Sequence, residues 1–215
     1  VRGLDAAEFL NRVYTNAWAK LAIGRCRYGL MLGEDGMVKD DGVTTRLADD
    51  HFHMTTTTGG AANILAWLEE WLQTEWPDLK VFLTSATEQW AVATISGPKS
   101  RELLSRLTDL DLSNEAFPHL TMREGKVAGL AARVFRISFT GELSYEINVP
   151  AAYGLALMEA IERAGQGLDL VHDHTLAGPL AAPAYAGLGL PTVVTVHGPV
   201  DDDLRPVSYT HLRAH

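Results

Sequence analysis

Two stretches of this chain place carboxylates where they could do chemistry. In Asp40-Asp41-Gly42 an acidic pair precedes a glycine, twelve residues or so downstream of Tyr28. Asp-Gly between apolar runs is a hairpin signal and predicts a turn. A carboxylate at a strand entrance beside a tyrosine can also accept a proton or polarise an amine. The two readings are compatible, because turns often carry function. The second stretch is Phe139-Thr140-Gly141-Glu142-Leu143-Ser144-Tyr145-Glu146. On a strand, Glu142 and Glu146 would share one face and Tyr145 would take the other. They are either two solvated charges or a grip on a planar heterocycle, since one carboxylate can accept two adjacent N–H donors.

Other reactive side chains offer less. His51 and His53 would share a strand face, as would His172 and His174. Two histidines fall short of the three or four ligands that a zinc site takes, so no metal is expected. Cys26 is the single cysteine, which excludes an intrachain disulfide and a thiolate zinc site. Neither Cys26 nor His119 has an evident partner for nucleophilic catalysis. There is no dinucleotide fingerprint and no phosphate loop. The net charge of −9 argues against nucleic acid as a partner. No apolar run approaches the length of a membrane span, and Val1-Arg2-Gly3-Leu4-Asp5 lacks the apolar core of a signal peptide. With one cysteine and no membrane signal, a reducing, cytoplasmic location is expected.

The elements that position these residues follow from periodicity. Hydrophobic residues make up 47% of the 215, enough for a substantial core. Ala6, Phe9, Leu10 and Val13 recur at helical spacing after a potential cap at Asp5. Tyr28 to Leu32, Val43 to Leu47 and His51 to Thr57 are expected strands, the last two joined through Ala48-Asp49-Asp50. A helix carrying Ile64, Leu65, Leu68, Trp71 and Leu72 runs toward Pro77. Lys80 to Ser85 and Trp90 to Ser96 are expected strands. A helix then opens at Gly97-Pro98, with Leu103, Leu104 and Leu107 on its stripe. Val127 to Ile137 and Leu143 to Val149 are expected to pair, and a helix with Leu157, Met158 and Ile161 follows Pro150. To this point the chain is α+β. Beyond Gly165-Gln166-Gly167, Leu168 to Val171, Ala177 to Ala186 and Thr192 to Val196 form one βαβ, Rossmann-like fragment.

Several of these stretches resemble one family. Asp5 to Arg12 through Tyr14-Thr15-Asn16, and Arg27 to Leu32 leading to Asp40-Asp41, resemble the folate-binding domain of glycine cleavage T-proteins. His53-Met54-Thr55-Thr56-Thr57-Thr58, Ser113 to Pro118 and Phe135 to Glu142 are more similar to the sarcosine oxidase alpha subunit and dimethylglycine oxidase. Phe139 stands where T-proteins commonly have Tyr, which favours the oxidase branch. The resemblance implies a partial aminomethyltransferase-type, folate-binding domain over residues 1–164, with tetrahydrofolate as cofactor. Asp41 would be the catalytic carboxylate facing the ligand's reactive amines. Glu146 would take the pterin edge, Tyr28 would line the pocket, and Val43 and Glu142 would be its neighbours. The parent chemistry would be capture of an imine or formaldehyde equivalent as 5,10-methylenetetrahydrofolate, with FAD and NAD bound in other parts of the full enzyme and other oxidase subunits as partners. The alternatives are a T-protein or dimethylglycine oxidase domain and, in another class, a non-catalytic folate-binding module.

Residues 165–206 resemble a fragment of the N-terminal domain of GT-B glycosyltransferases, through Asp169 to Thr175, Ala177 to Leu180 and Pro191 to Pro199. Residues 207–215 resemble a translated transposase adapter from sequencing libraries. These resemblances imply a chimeric chain. In the folate-binding family the site is completed by later segments, so this chain is expected to bind folate weakly and to turn nothing over. Core positions such as Phe9 and Leu10 are expected to be exposed.

Overall fold

The computed structural model describes residues 1–139, 141–165, 171–173 and 192–194. By backbone contacts the chain divides into two compact units, Val1–Ala164 and Gly165–His215. In the first, helix α1 (Ala6–Val13) buries Ala6, Phe9, Leu10 and Val13, the stripe its spacing dictates. Phe9 and Leu10 are fully enclosed, against the expectation that they would be bare. Asp5 does not cap this helix with its side chain. Its carboxylate accepts the Lys80 N–H at 2.8 Å instead.

Strands β1 (Cys26–Leu32), β2 (Val38–Ala48) and β3 (His51–Met54) form an antiparallel meander in that order. Asp40-Asp41-Gly42 is not a turn but the interior of the eleven-residue β2. The hairpin bend lies earlier, where Gly33 N–H bonds the Met37 carbonyl and Gly36 adopts φ 77°. Gly42 serves a different purpose: a Cβ there would collide with the Thr55 carbonyl. Helix α2 (Ala61–Thr74) follows, burying Ile64 and Leu68. With α1, Trp18, Met31 and Phe52 it closes a core on one face of the meander. Lys80 to Ser85 makes only a single bridge, Phe82 to Arg2, rather than a strand.

The second sheet runs β4-β7-β6-β5, all antiparallel, from β4 (Trp90–Ser96), β5 (Thr121–Val127), β6 (Leu130–Arg136) and β7 (Ser144–Pro150). The expected single stretch Val127 to Ile137 is in fact the second half of a hairpin. Its turn is Ala128-Gly129, at φ 52° and 81°, the positive angles that a tight two-residue turn requires. Helices α3 (Ser100–Ser105) and α4 (Gly154–Ala164) pack on β4 and β7. α3 therefore begins two residues after Pro98 rather than at it. Tyr145, Ile147 and Val149 are wholly buried on the β7 face toward these helices. On the other β7 face Ser144 and Asn148 are also buried, so both sides of the sheet are covered.

What covers the second side is the β1–β3 meander. Cys26, Met122, Phe135 and Ile137 form one buried cluster, with Val43, Leu47 and Leu120 packed against it. Arg25 bridges to Thr121, and Cys26 N–H bonds the Leu120 carbonyl at 2.8 Å. The functional candidates lie in this space between the sheets.

In the second unit, Val171–Asp173 and Thr192–Val194 pair in parallel as β8 and β9. The expected helix Ala177 to Ala186, Val196 at the end of the expected strand, and the tail 207–215 lie outside the described residues.

Candidate functional site

Antiparallel pairing sets which side chains meet. Opposite residues in the β1/β2 ladder point the same way, and the register pairs Cys26 with Thr45, Tyr28 with Val43 and Leu30 with Asp41. β3 adds His53 opposite Thr45. All of these side chains face the second sheet. Tyr28 and Asp41 sit diagonally across the ladder, within reach of long side chains. The Tyr28 hydroxyl donates to Asp41 Oδ2 at 2.7 Å. That bond, with the Asp41 charge beside it, raises the tyrosine pKa. Asp41 Oδ1 accepts nothing from the described residues.

Val43 is fixed by Thr55. Its N–H donates to Thr55 Oγ1 at 3.1 Å, and its carbonyl accepts the Thr55 N–H at 3.0 Å. Deeper in the same face, Thr45 Oγ1 donates to Cys26 Sγ at 3.1 Å. Burial pushes the Cys26 thiol up to about 11, and the Glu146 charge adds to the shift. His53 lies against the Phe135 ring, with centroids 5.7 Å apart. Burial, then the Arg133 charge, brings its pKa down to about 4, so the imidazole is neutral near pH 7.

Glu146 comes from the opposing sheet. It pairs with Thr94 on β4 and Phe135 on β6, on the β7 face that meets the meander. Phe135, its partner on β6, packs against Cys26 and Val43 on the face that carries Tyr28. It is partly buried, burial raises its pKa, and no described residue donates a hydrogen bond to it. A carboxylate withdrawn from water without a donor favours a ligand that supplies N–H groups.

The structure thus brings Tyr28, Asp41 and Val43 together on one strand pair and sets Glu146 on the sheet that faces them. Glu142 does not share the Glu146 strand: it is exposed in the bend before β7, so strand alternation does not reach it. Phe139 is also exposed. Sequence reasoning passed over Thr45 and Phe135 and gave Cys26 and His53 no place in the site. The i, i+2 step from Tyr28 back to Cys26 was the available signal; the pairing of the two sheets was not. Two clefts, of about 570 and 620 Å³, are lined by other residues, around Arg101 and around Trp67, Trp71 and Trp76. Among the described residues, no three His, Cys, Asp or Glu side chains are grouped to hold a metal, and no helix is long and apolar enough to cross a membrane.

Two facing sheets with helices on their outer sides, and carboxylates on both of the facing surfaces, define a mixed helix-and-sheet domain of the aminomethyltransferase type, here in part. The chain belongs to the GCVT N-terminal domain family, whose profile matches residues 1–177. It is 55% identical over 172 residues to the sarcosine oxidase subunit alpha of Corynebacterium sp. (strain P-1), covering 79% of this chain and 18% of that one. It is 36% identical over 151 residues to the aminomethyltransferase of Herpetosiphon aurantiacus, covering 70% of this chain and 40% of the relative. The fold matches the crystal structure of the glycine cleavage system aminomethyltransferase T from Bartonella henselae with a TM-score of 0.63 at 26% identity, over 74% of this chain and 41% of that one. The chain therefore spans about a fifth of the sarcosine oxidase relative's length.

Proposed function

We propose that residues 1–164 form a tetrahydrofolate-binding domain whose site is the space between the two sheets. The observation that supports this reading best is Glu146, a partly buried carboxylate with a raised pKa and no hydrogen-bond donor among the described residues. In this reading Glu146 accepts two N–H groups from the pterin edge, a pairing that strengthens when the acceptor is charged. Asp41, held by the Tyr28 hydroxyl, turns its free oxygen toward the ligand's amines. The tyrosine ring and Val43 give the planar ligand an apolar wall, and Glu142 stands at the exposed entrance.

When bound, tetrahydrofolate would supply two amine nitrogens that take an imine's carbon between them as 5,10-methylenetetrahydrofolate, the imine's C–N bond breaking to release the free amine. Asp41 is placed to receive the proton that such an amine sheds. The carbon donor in a sarcosine oxidase-like parent is an imine formed at a flavin elsewhere in the enzyme, with the other subunits as partners. The greater identity to sarcosine oxidase subunit alpha than to aminomethyltransferase supports this parent over a free T-protein.

Calorimetric titration of the chain with tetrahydrofolate tests the reading. Weak binding is expected, lost in Glu146→Ala. In Asp41→Ala a catalytic residue and a mere binding residue part ways, the first sparing affinity more than turnover in the parent enzyme. Binding that is indifferent to Glu146→Ala overturns the site assignment.

A further inference from the structure

The two acids of Asp40-Asp41 lie back to back on β2. Asp41 faces the second sheet. Asp40 faces the helices, opposite Met31, and is only 6% exposed. An acid so deeply buried is expected to be paired or fully hydrogen-bonded. Among the described residues no cation pairs with it. Both of its oxygens accept the Thr57 N–H, at 3.2 Å each, and Oδ1 also accepts the Thr57 hydroxyl at 2.6 Å. Thr57 stands just before the turn that leads into α2.

The surrounding backbone explains why such an anchor matters. The β1/β2 register slips after Met31, with Leu32 pairing to Val38, so Asp40 and Asp41 sit at the end of the regular ladder. On the other side β3 ends at Met54, opposite Thr44. Beyond it the Thr55–Thr57 run continues along β2 as a strap. Thr55 grips Val43 through its amide and hydroxyl, and its carbonyl lies against Gly42 where only a glycine fits. Asp40 holds Thr57. Asp41 and Gly42 are therefore bracketed by two fastenings of one strap.

We propose that Asp40 is a positioning residue: by fastening Thr57 across β2 it fixes the strand that aims Asp41 at Tyr28. The inference rests on the folate reading for its functional meaning. Its geometric claim is independent of any ligand, because the Tyr28–Asp41 hydrogen bond reports on Asp41 directly. Asp40→Ala frees the strap and lets β2 shift. Asp40→Asn keeps an acceptor oxygen for Thr57 and is the conservative rescue. Thr57→Val removes the hydroxyl arm alone and preserves side-chain shape.

The test is NMR of the full chain carrying ¹³Cζ-labelled tyrosine, with the Tyr28 signal assigned by Tyr28→Phe, titrated against pH in each variant. The wild type is expected to show Tyr28 ionising above an ordinary tyrosine. Asp40→Ala is expected to bring it back toward the ordinary value, Thr57→Val to do so in part, and Asp40→Asn to stay near wild type. If Asp40→Ala does not fold, Thr57→Val decides. An unchanged Tyr28 titration in a folded Asp40→Ala or Thr57→Val overturns the proposal. Tetrahydrofolate titration of the same samples keeps the two claims apart. A Tyr28 pKa returned to the ordinary value upholds the strap whatever the folate affinity, whereas the folate site stands or falls with Glu146→Ala.

Discussion

On the side of the β1–β3 meander that meets α1 and α2, Trp18, Met31 and Phe52 are sealed from water. On the side that meets the second sheet, Tyr28 is 52% exposed, Asp41 is half-buried and His53 and Cys26 lie below them. One face excludes solvent with large apolar side chains. The other collects titratable groups and shifts them: Tyr28 up, Cys26 up to about 11, His53 down to about 4, and Glu146 up from across the gap. The sealed face holds buried titratable groups too, Tyr14, pushed up to about 12 by burial, and Asp40, but only the open face leaves a carboxylate and a tyrosine within reach of solvent. Shifted groups that line a partly exposed surface, as Tyr28 and Glu146 do, are also a physical mark of a functional site. None of these shifted groups lines the Trp67–Trp71–Trp76 cleft.

That division makes separable predictions, the largest on the sealed face. Trp18→Ala should cost about 3–5 kcal/mol in urea unfolding, the range for removing a large buried aromatic. Tyr28→Phe, on the open face, should cost less than about 0.5 kcal/mol. Comparable losses in the two variants would erase the distinction.

The next effect is in pH. The folded His53 pKa of about 4 lies below the ordinary 6.5. The folded state therefore resists protonation there, and stability present above pH 6.5 should be lost as pH falls toward 4. The full shift corresponds to about 3 kcal/mol. Glu146 has the opposite sign. Its folded pKa is raised, so its contribution is present below the ordinary 4.5 and is lost as pH rises through the raised value. His53→Gln should flatten the first slope and Glu146→Gln the second, read from urea midpoints across pH 4 to 7. Parallel changes in both variants would contradict the assigned burial.

Smaller again is the loss of one polar contact to the ligand. Asp41→Asn should weaken tetrahydrofolate binding about tenfold or less, the effect of one charge-assisted hydrogen bond becoming neutral. The smallest effect needs no substitution. Cys26 should react with a thiol reagent only slowly at pH 8 in the folded chain, because little of it is thiolate, and rapidly in urea. Fast labelling of the native chain would open the floor of the site to solvent.

Much of this arrangement was legible along the sequence. The α1 stripe follows from periodicity and the β4 boundaries from β-branched and aromatic content, while the three meander strands were legible in place but not in extent, β2 beginning at Val38 rather than Val43. The failures share a cause, which is tertiary demand on single residues. Gly42 signals a turn by composition, but it is required by the approach of the Thr55 carbonyl. Thr121 to Val127 alternates Met122, Glu124 and Lys126 with Thr121, Arg123 and Gly125, and only its pairing with β6 makes it a strand. Tyr28 and Asp41 could be named from the chain, but the contact between them depends on register. That Glu146, and not Glu142, faces them depends on where β7 begins.

The central claim is that Glu146 waits in the inter-sheet space for a ligand's N–H donors. Carbon-13 NMR of the labelled Glu146 carboxyl, titrated with and without tetrahydrofolate, addresses it most directly. The free protein should titrate above an ordinary glutamate, and bound ligand should draw the midpoint down, because donors to a carboxylate favour its charged form. A midpoint that starts at the ordinary value, or that stays put while tetrahydrofolate binds, would contradict the account.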